Sequence, residues 1–92
     1  MTAPRATEAD PDLVTFRLFA SARAAAGASQ ALAPPGPTRT VLAGLVAGLP
    51  PGFGAVLRAS ALVSDGRRLD PASEAPLHPG ATVEVLPPFA GG

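Results

Sequence analysis

Hydrophobic and polar residues alternate where the structured part of the chain begins. In Leu13-Val14-Thr15-Phe16-Arg17-Leu18-Phe19-Ala20, Val14, Phe16 and Leu18 fall on one side and Thr15 and Arg17 on the other. A period of two is that of a strand buried on one face. Phe19 departs from it and falls on the nominally wet face. From Ser21 to Gly27 the pattern gives way to alanines around Arg23, a helical turn or compact loop that Gly27 stops. A second, weaker strand over Ser29 to Ala33 returns beside the first and closes at the breaker Pro34-Pro35-Gly36-Pro37.

The period then changes. Val41, Leu42, Leu45, Val46 and Leu49 form one apolar stripe at helical spacing, with Thr38 ahead of them as the N-cap. Gly44 and Gly48 each weaken this helix by about 1 kcal/mol relative to alanine, so packing must supply much of its stability. Pro50-Pro51-Gly52 ends it, and Phe53 to Ala59 reads as a shorter helical segment with Phe53, Val56 and Leu57 inward. Ala61-Leu62-Val63 and a strand near Arg67-Arg68-Leu69 flank Ser64-Asp65-Gly66, whose Asp-Gly step signals a tight hairpin. A loop through Pro71, Glu74 and Pro76 leads to His78-Pro79-Gly80, which suits a type II turn. The last strand, Ala81 to Leu86, sets Val83 and Val85 on one side and Thr82, Glu84 and Leu86 on the other. This order predicts an α+β fold of the β-grasp kind, a small mixed sheet packed on one main helix, in which the last strand can lie centrally beside the first.

Composition narrows the function. A chain of 92 residues holds one modest core and leaves little room for a catalytic cleft of its own. The formal net charge is zero, and the seven basic residues are all arginine, scattered except for Arg67-Arg68. No basic stripe suits a phosphate backbone, so nucleic acid is not an expected partner. The absence of cysteine excludes a disulfide framework, a thiolate metal site and a sulfur relay through a side chain. Residues 1–12 are polar, contain Pro4 and Pro11, and have neither a signal core nor an apolar run of membrane-spanning length. They read as a disordered leader on a cytoplasmic protein, followed by a domain over 13–86 and an extended tail over 87–92.

That tail, Pro87-Pro88-Phe89-Ala90-Gly91-Gly92, carries the chemistry. Gly91 and Gly92 lack a Cβ and can lie in a channel too narrow for other residues. Pro87 and Pro88 fix their own φ and bias the preceding residues toward extended geometry, which makes the tail a stiff stalk presenting the terminal carboxylate. Elsewhere the residues favour structural roles. His78 has no cysteine or second histidine to join it, and Asp65, Asp70, Glu74 and Glu84 read as turn residues and solvated faces. Gly52-Phe53-Gly54 lacks the longer glycine pattern and the lysine of a phosphate loop. Arg23 reads as solvated. Phe19, an aromatic on the open side of a strand, is a candidate partner contact.

The chain resembles the ubiquitin-like sulfur carriers of the MoaD/ThiS family, and within them the small subunit of molybdopterin synthase (MoaD). The resemblance rests on Phe16-Arg17-Leu18-Phe19-Ala20-Ser21-Ala22-Arg23-Ala24-Ala25-Ala26-Gly27, on the hairpin over Val63 to Leu69, on Leu77 with Pro79-Gly80, and most specifically on Leu86-Pro87-Pro88-Phe89-Ala90-Gly91-Gly92. Phe89 stands where the family often has valine, Ser64 where asparagine is frequent, and Ala81 where aspartate commonly follows the turn glycine. Thiamine-pathway carriers usually lack the Pro-Pro step, whereas a carrier for cysteine or a specialised metabolite could keep it.

The resemblance implies that an E1-like (MoeB-like) adenylyltransferase uses ATP to adenylate Gly92. A sulfur donor such as a cysteine desulfurase or a rhodanese then converts it to a thiocarboxylate. The large subunit of molybdopterin synthase (MoaE-like) would enclose Pro87, Pro88, Phe89, Ala90 and Gly91, with Phe19 as a further contact. The chain itself would bind no cofactor, metal or membrane, and would donate sulfur rather than turn over as an enzyme. Ubiquitin-like conjugation to other proteins is a second class of function, although a chain without lysine cannot form side-chain conjugates with itself; a third, an inert β-grasp interaction module, is disfavoured by the diglycine.

Overall fold

The computed structural model describes residues 11–88. Its elements are β1 (Val14–Leu18), α1 (Ala20–Ala26), β2 (Gln30–Ala33), β3 (Gly36–Pro37), α2 (Thr38–Ala47), α3 (Phe53–Ala59), β4 (Ala61–Ser64), β5 (Arg67–Arg68), β6 (Pro76–Leu77) and β7 (Thr82–Leu86). A five-stranded mixed sheet runs in the order β2-β1-β7-β4-β5, and β3 with β6 forms a separate two-stranded ladder. Only the β1–β7 pair is parallel; β1–β2, β4–β7 and β4–β5 are antiparallel. This is the β-grasp arrangement, with the last strand central.

The alternation in β1 and β7 decides which side of the sheet is buried. Val14, Phe16 and Leu18 join Val83 and Val85 in one core, closed from above by Val41, Leu42 and Leu45 of α2 and by Phe53 and Leu57 of α3. Val46, Val56 and Leu49 are partly buried at its margin. Gly54 is also buried, where a Cβ would stand 3.2 Å from the Val46 side chain; glycine here lets α3 close onto α2.

Turn chemistry follows the sequence at two places. Gly27 takes φ +72 at the C-cap of α1, and its N–H donates to the Arg23 carbonyl. Asp65 and Gly66 both have positive φ, +53 and +76, as a two-residue turn of type I′ requires between Ser64 and Arg67. The His78–Ala81 turn is closed by the Ala81 N–H donating to the His78 carbonyl at 3.0 Å, with Gly80 at φ +86.

Two expectations are corrected. Thr38 is the first residue of α2 and Pro37 its N-cap. The Thr38 hydroxyl and N–H instead donate to the Ala75 carbonyl, each at 2.8 Å, tying the loop after β5 to the helix. Gly36–Pro37 and Pro76–Leu77, placed by sequence in a breaker and a loop, pair as β3 and β6. A proline-rich ladder two residues long leaves no periodic signal. Of the leader read over residues 1–12, Pro11 and Asp12 form a turn, and residues 1–10 lie outside the described residues. Among the described residues no helix is long and apolar enough to cross a membrane.

Candidate functional site at the end of the last strand

Because β7 is central, its C-terminal end is held from both sides. The last registered pairs are Leu18 with Val85 on β1 and Ala61 with Leu86 on β4. The chain therefore leaves the sheet between the end of β1, where it turns into α1, and the start of β4, which follows α3. Leu86 is exposed, Pro87 buried and Pro88 exposed. The sequence begins the tail at Pro87; that residue is buried against the body, and Pro88 is the first exposed residue after Leu86. Phe89, Ala90, Gly91 and Gly92 lie outside the described residues.

Phe19 sits at this same end of the molecule. It has left β1 and is the N-cap residue of α1, with φ −123 and ψ 155. Its carbonyl accepts from the Ala22 and Arg23 N–H groups at 2.9 and 3.3 Å, so the backbone here is committed to starting the helix. The following residue, Ala20, takes φ +48, a left-handed step that turns the chain from strand into helix. The Phe19 ring is half-buried, and the Arg17 guanidinium carbon lies 5.5 Å from its centroid. Arg17 also approaches Glu84 of β7 at 3.8 Å. A ring under an arginine is neither a free wet-face aromatic nor a core residue.

Around Phe19 the surface dips into a depression of about 500 Å³, lined by Arg17, Arg23, Ser29, Gln30 and Thr82 among others. Sequence reading did not connect Arg17, Arg23 and the tail. The connection depends on the parallel β1–β7 pairing, which spacing along the chain does not encode. Two exposed leucines, Leu32 and Leu86, also lie on the sheet face opposite the helices, where Leu32 pairs with Thr15 and Leu86 with Ala61. Alternation had already set Leu86 on the outer side, and that was the available signal.

The opposite pole is built differently. The Gly80 N–H donates to the Leu13 carbonyl and the Thr15 N–H to the Ala81 carbonyl, both at 2.9 Å, which clamps the start of β1 to the turn before β7. His78 is exposed in that turn. Glu74 pairs with Arg39 at 2.7 Å, and Asp70 accepts from the Ala72 N–H, so these carboxylates serve a salt bridge and a turn.

No family model matches the sequence, and no curated protein matches it. Among solved structures the chain is similar to SAMP1 from Haloferax volcanii, with a TM-score of 0.72 and 19% sequence identity over 87% of this chain and 99% of that one. The fold is the ubiquitin-like β-grasp. At that identity the likeness is one of architecture, and the chemistry of the tail has to be argued from this chain.

Proposed function

We propose that the protein is a sulfur carrier acting through its C-terminal Gly92, as the small subunit of a molybdopterin synthase of the MoaD kind. The observation that supports this reading is the exit. The last strand is the centre of the sheet, Pro87 is buried, and Pro88 stands exposed before Phe89-Ala90-Gly91-Gly92. A chain that leaves from the central strand does so at a defined point of the body, which a partner enzyme can grip. A carboxylate is a poor electrophile. An E1-like adenylyltransferase would join it to the α-phosphate of ATP with release of pyrophosphate. A persulfide sulfur from a cysteine desulfurase or rhodanese would then attack the carbonyl carbon, AMP would leave, and reduction of the resulting acyl disulfide by a thiol would give the thiocarboxylate. Its sulfur is the nucleophile in the acceptor, the MoaE-like large subunit, where two successive carriers supply the two sulfurs of the dithiolene. Phe19, Phe89 and the exposed Leu86 are the apolar groups around the exit that such partners would cover.

A second reading is protein modification, in which activated Gly92 acylates lysines of other proteins. The architectural likeness to SAMP1, a ubiquitin-like small archaeal modifier protein, favours keeping it. The intact mass of the protein recovered from its native cell separates the two. A free carrier exchanges one oxygen for sulfur, whereas a modifier appears joined to larger proteins through an isopeptide bond. For either, deleting Gly92 should abolish ATP-dependent transfer of AMP while leaving the circular dichroism spectrum unchanged. Sulfur transfer at the normal rate by the truncated chain would refute both.

A further inference from the structure

The two edges of the five-stranded sheet are finished differently. At one, β5 is two residues long and both are exposed arginines, Arg67 and Arg68. Short, charged edges resist pairing with another strand. At the other, β2 has the uncharged sequence Gln30-Ala31-Leu32-Ala33, and no strand of the described residues lies beyond it. Hydrogen-bond parity fixes which way its backbone points. The Leu18 N–H donates to the Ser29 carbonyl at 2.9 Å, so Ser29 faces β1. In an antiparallel ladder alternate residues face the partner, so Ala31 and Ala33 do too, and Leu32, opposite Thr15, turns its N–H and C=O outward. The Thr15 N–H has the matching parity, since it donates to the Ala81 carbonyl on the far side of β1. At 42% exposure Leu32 is also the most exposed large hydrophobic among the described residues. On the helix side of the strand, Ala31 and Ala33 join Leu45 and Leu49 of α2 around an apolar groove of about 170 Å³.

We propose that the β2 edge is an interface with a second copy of this chain, the two β2 strands pairing antiparallel about a two-fold axis at Leu32. A residue on such an axis meets itself. Each Leu32 N–H donates to the carbonyl of the other Leu32, the closed two-bond pair that an antiparallel ladder forms at alternate positions, and Ala31 lies opposite the Ala33 of the copy. The two leucine side chains stand on the same face with their Cα atoms ~5.5 Å apart, each covering the other. Charge favours a copy as the occupant. β2 carries none, and the one charged residue of its neighbour β1, Arg17, sits opposite Gln30, away from the axis. At ~3.4 Å per residue and ~4.8 Å between strands it stays about 20 Å from its counterpart, beyond the ~10 Å Debye length of about 0.1 M salt. The same operation at β5 sets arginine against arginine, so of the two edges only β2 is complementary to itself. The interface uses no residue of the tail.

The full chain is followed by sedimentation equilibrium and by amide hydrogen exchange from about 10 μM to about 1 mM, the range in which small interfaces associate. A monomer–dimer equilibrium is expected, with exchange of the Leu32 amide slowed about tenfold or more from the bottom of that range to the top. Leu32→Lys sets two ammonium groups against each other at the axis, and Leu32→Pro removes the outward N–H while sparing the bonds to β1. Each should raise the dimer Kd by about tenfold or more and keep the wild-type circular dichroism spectrum. Leu86→Lys, on the same face but on the central strand, should dimerise as the wild type does. A chain that stays monomeric throughout, or a Leu32 amide that exchanges at one rate at every concentration, overturns the inference. So does a dimer that Leu86→Lys dissolves and the Leu32 variants do not, which places the contact on the sheet face. The wild-type exchange measurement decides the matter even where a variant fails to fold.

Discussion

Phe19 shows what one residue's environment decides. Alternation puts its ring in water, and a ring in water costs nothing to remove. The chain, however, leaves the strand at Leu18, so Phe19 answers to the start of α1 rather than to the sheet, and its ring is half-buried beside Arg17. Truncation should therefore cost roughly half of what a core phenylalanine costs: about 1–2 kcal/mol in urea unfolding for Phe19→Ala, against about 3–5 kcal/mol for the fully buried Phe16→Ala. The arginine contact accounts for about 0.5–1 kcal/mol of it. Equal losses at the two positions would place Phe19 in the core and remove it from the partner surface. Thr38 is the parallel case among polar residues. A hydroxyl ahead of an apolar stripe reads as a cap, but its partner is the Ala75 carbonyl, thirty-seven residues away, and no local pattern announces that bond.

At the level of elements, the parts with a strong local cause are legible in the sequence and those held by distant partners are not. The stripe from Val41 to Leu49, the period-two runs of β1 and β7 and the Asp65-Gly66 turn each follow from neighbouring residues alone. The β3–β6 ladder does not, because its prolines carry no periodicity and its two strands, which flank α2, α3, β4 and β5 in the chain, are held by partners far apart in sequence. The glycines of α2 offer a direct measure of how much packing contributes. At Gly44 a Cβ would meet nothing within 4 Å, and the residue is exposed in the middle of the helix. Gly44→Ala should therefore gain helix propensity without any steric cost, raising stability by up to about 1 kcal/mol. A shift of the urea midpoint to lower concentration would show that another part of the molecule occupies that space.

For the whole molecule the question is where body ends and tail begins, and the two prolines answer it separately. Pro87 is buried and Pro88 exposed, although in sequence they are equivalent. Pro87→Gly removes a packed ring and loosens the unfolded chain as well, so it should cost about 2–3 kcal/mol of stability. Pro88 is exposed, so Pro88→Gly should leave unfolding nearly unchanged. Its effect belongs to recognition, since a tail no longer held extended must be ordered on docking, at about 0.5–1.5 kcal/mol; in the adenylation assay this is a rise of a few-fold to about tenfold in KM with kcat preserved. Gly91→Val completes the series. A β-branched side chain beside the reacting glycine stiffens and widens the tail where a partner's channel would be narrowest, so AMP transfer should fall by more than tenfold while stability stays at the wild-type value. The three variants thus separate a body effect, a pre-organisation effect and a steric effect, read by urea unfolding and by adenylation kinetics on the same preparations. If Pro88→Gly or Gly91→Val unfolded as readily as Pro87→Gly, the tail would be packed on the domain, and a stalk that begins at Pro88 would be the wrong description of how this chain presents its carboxylate.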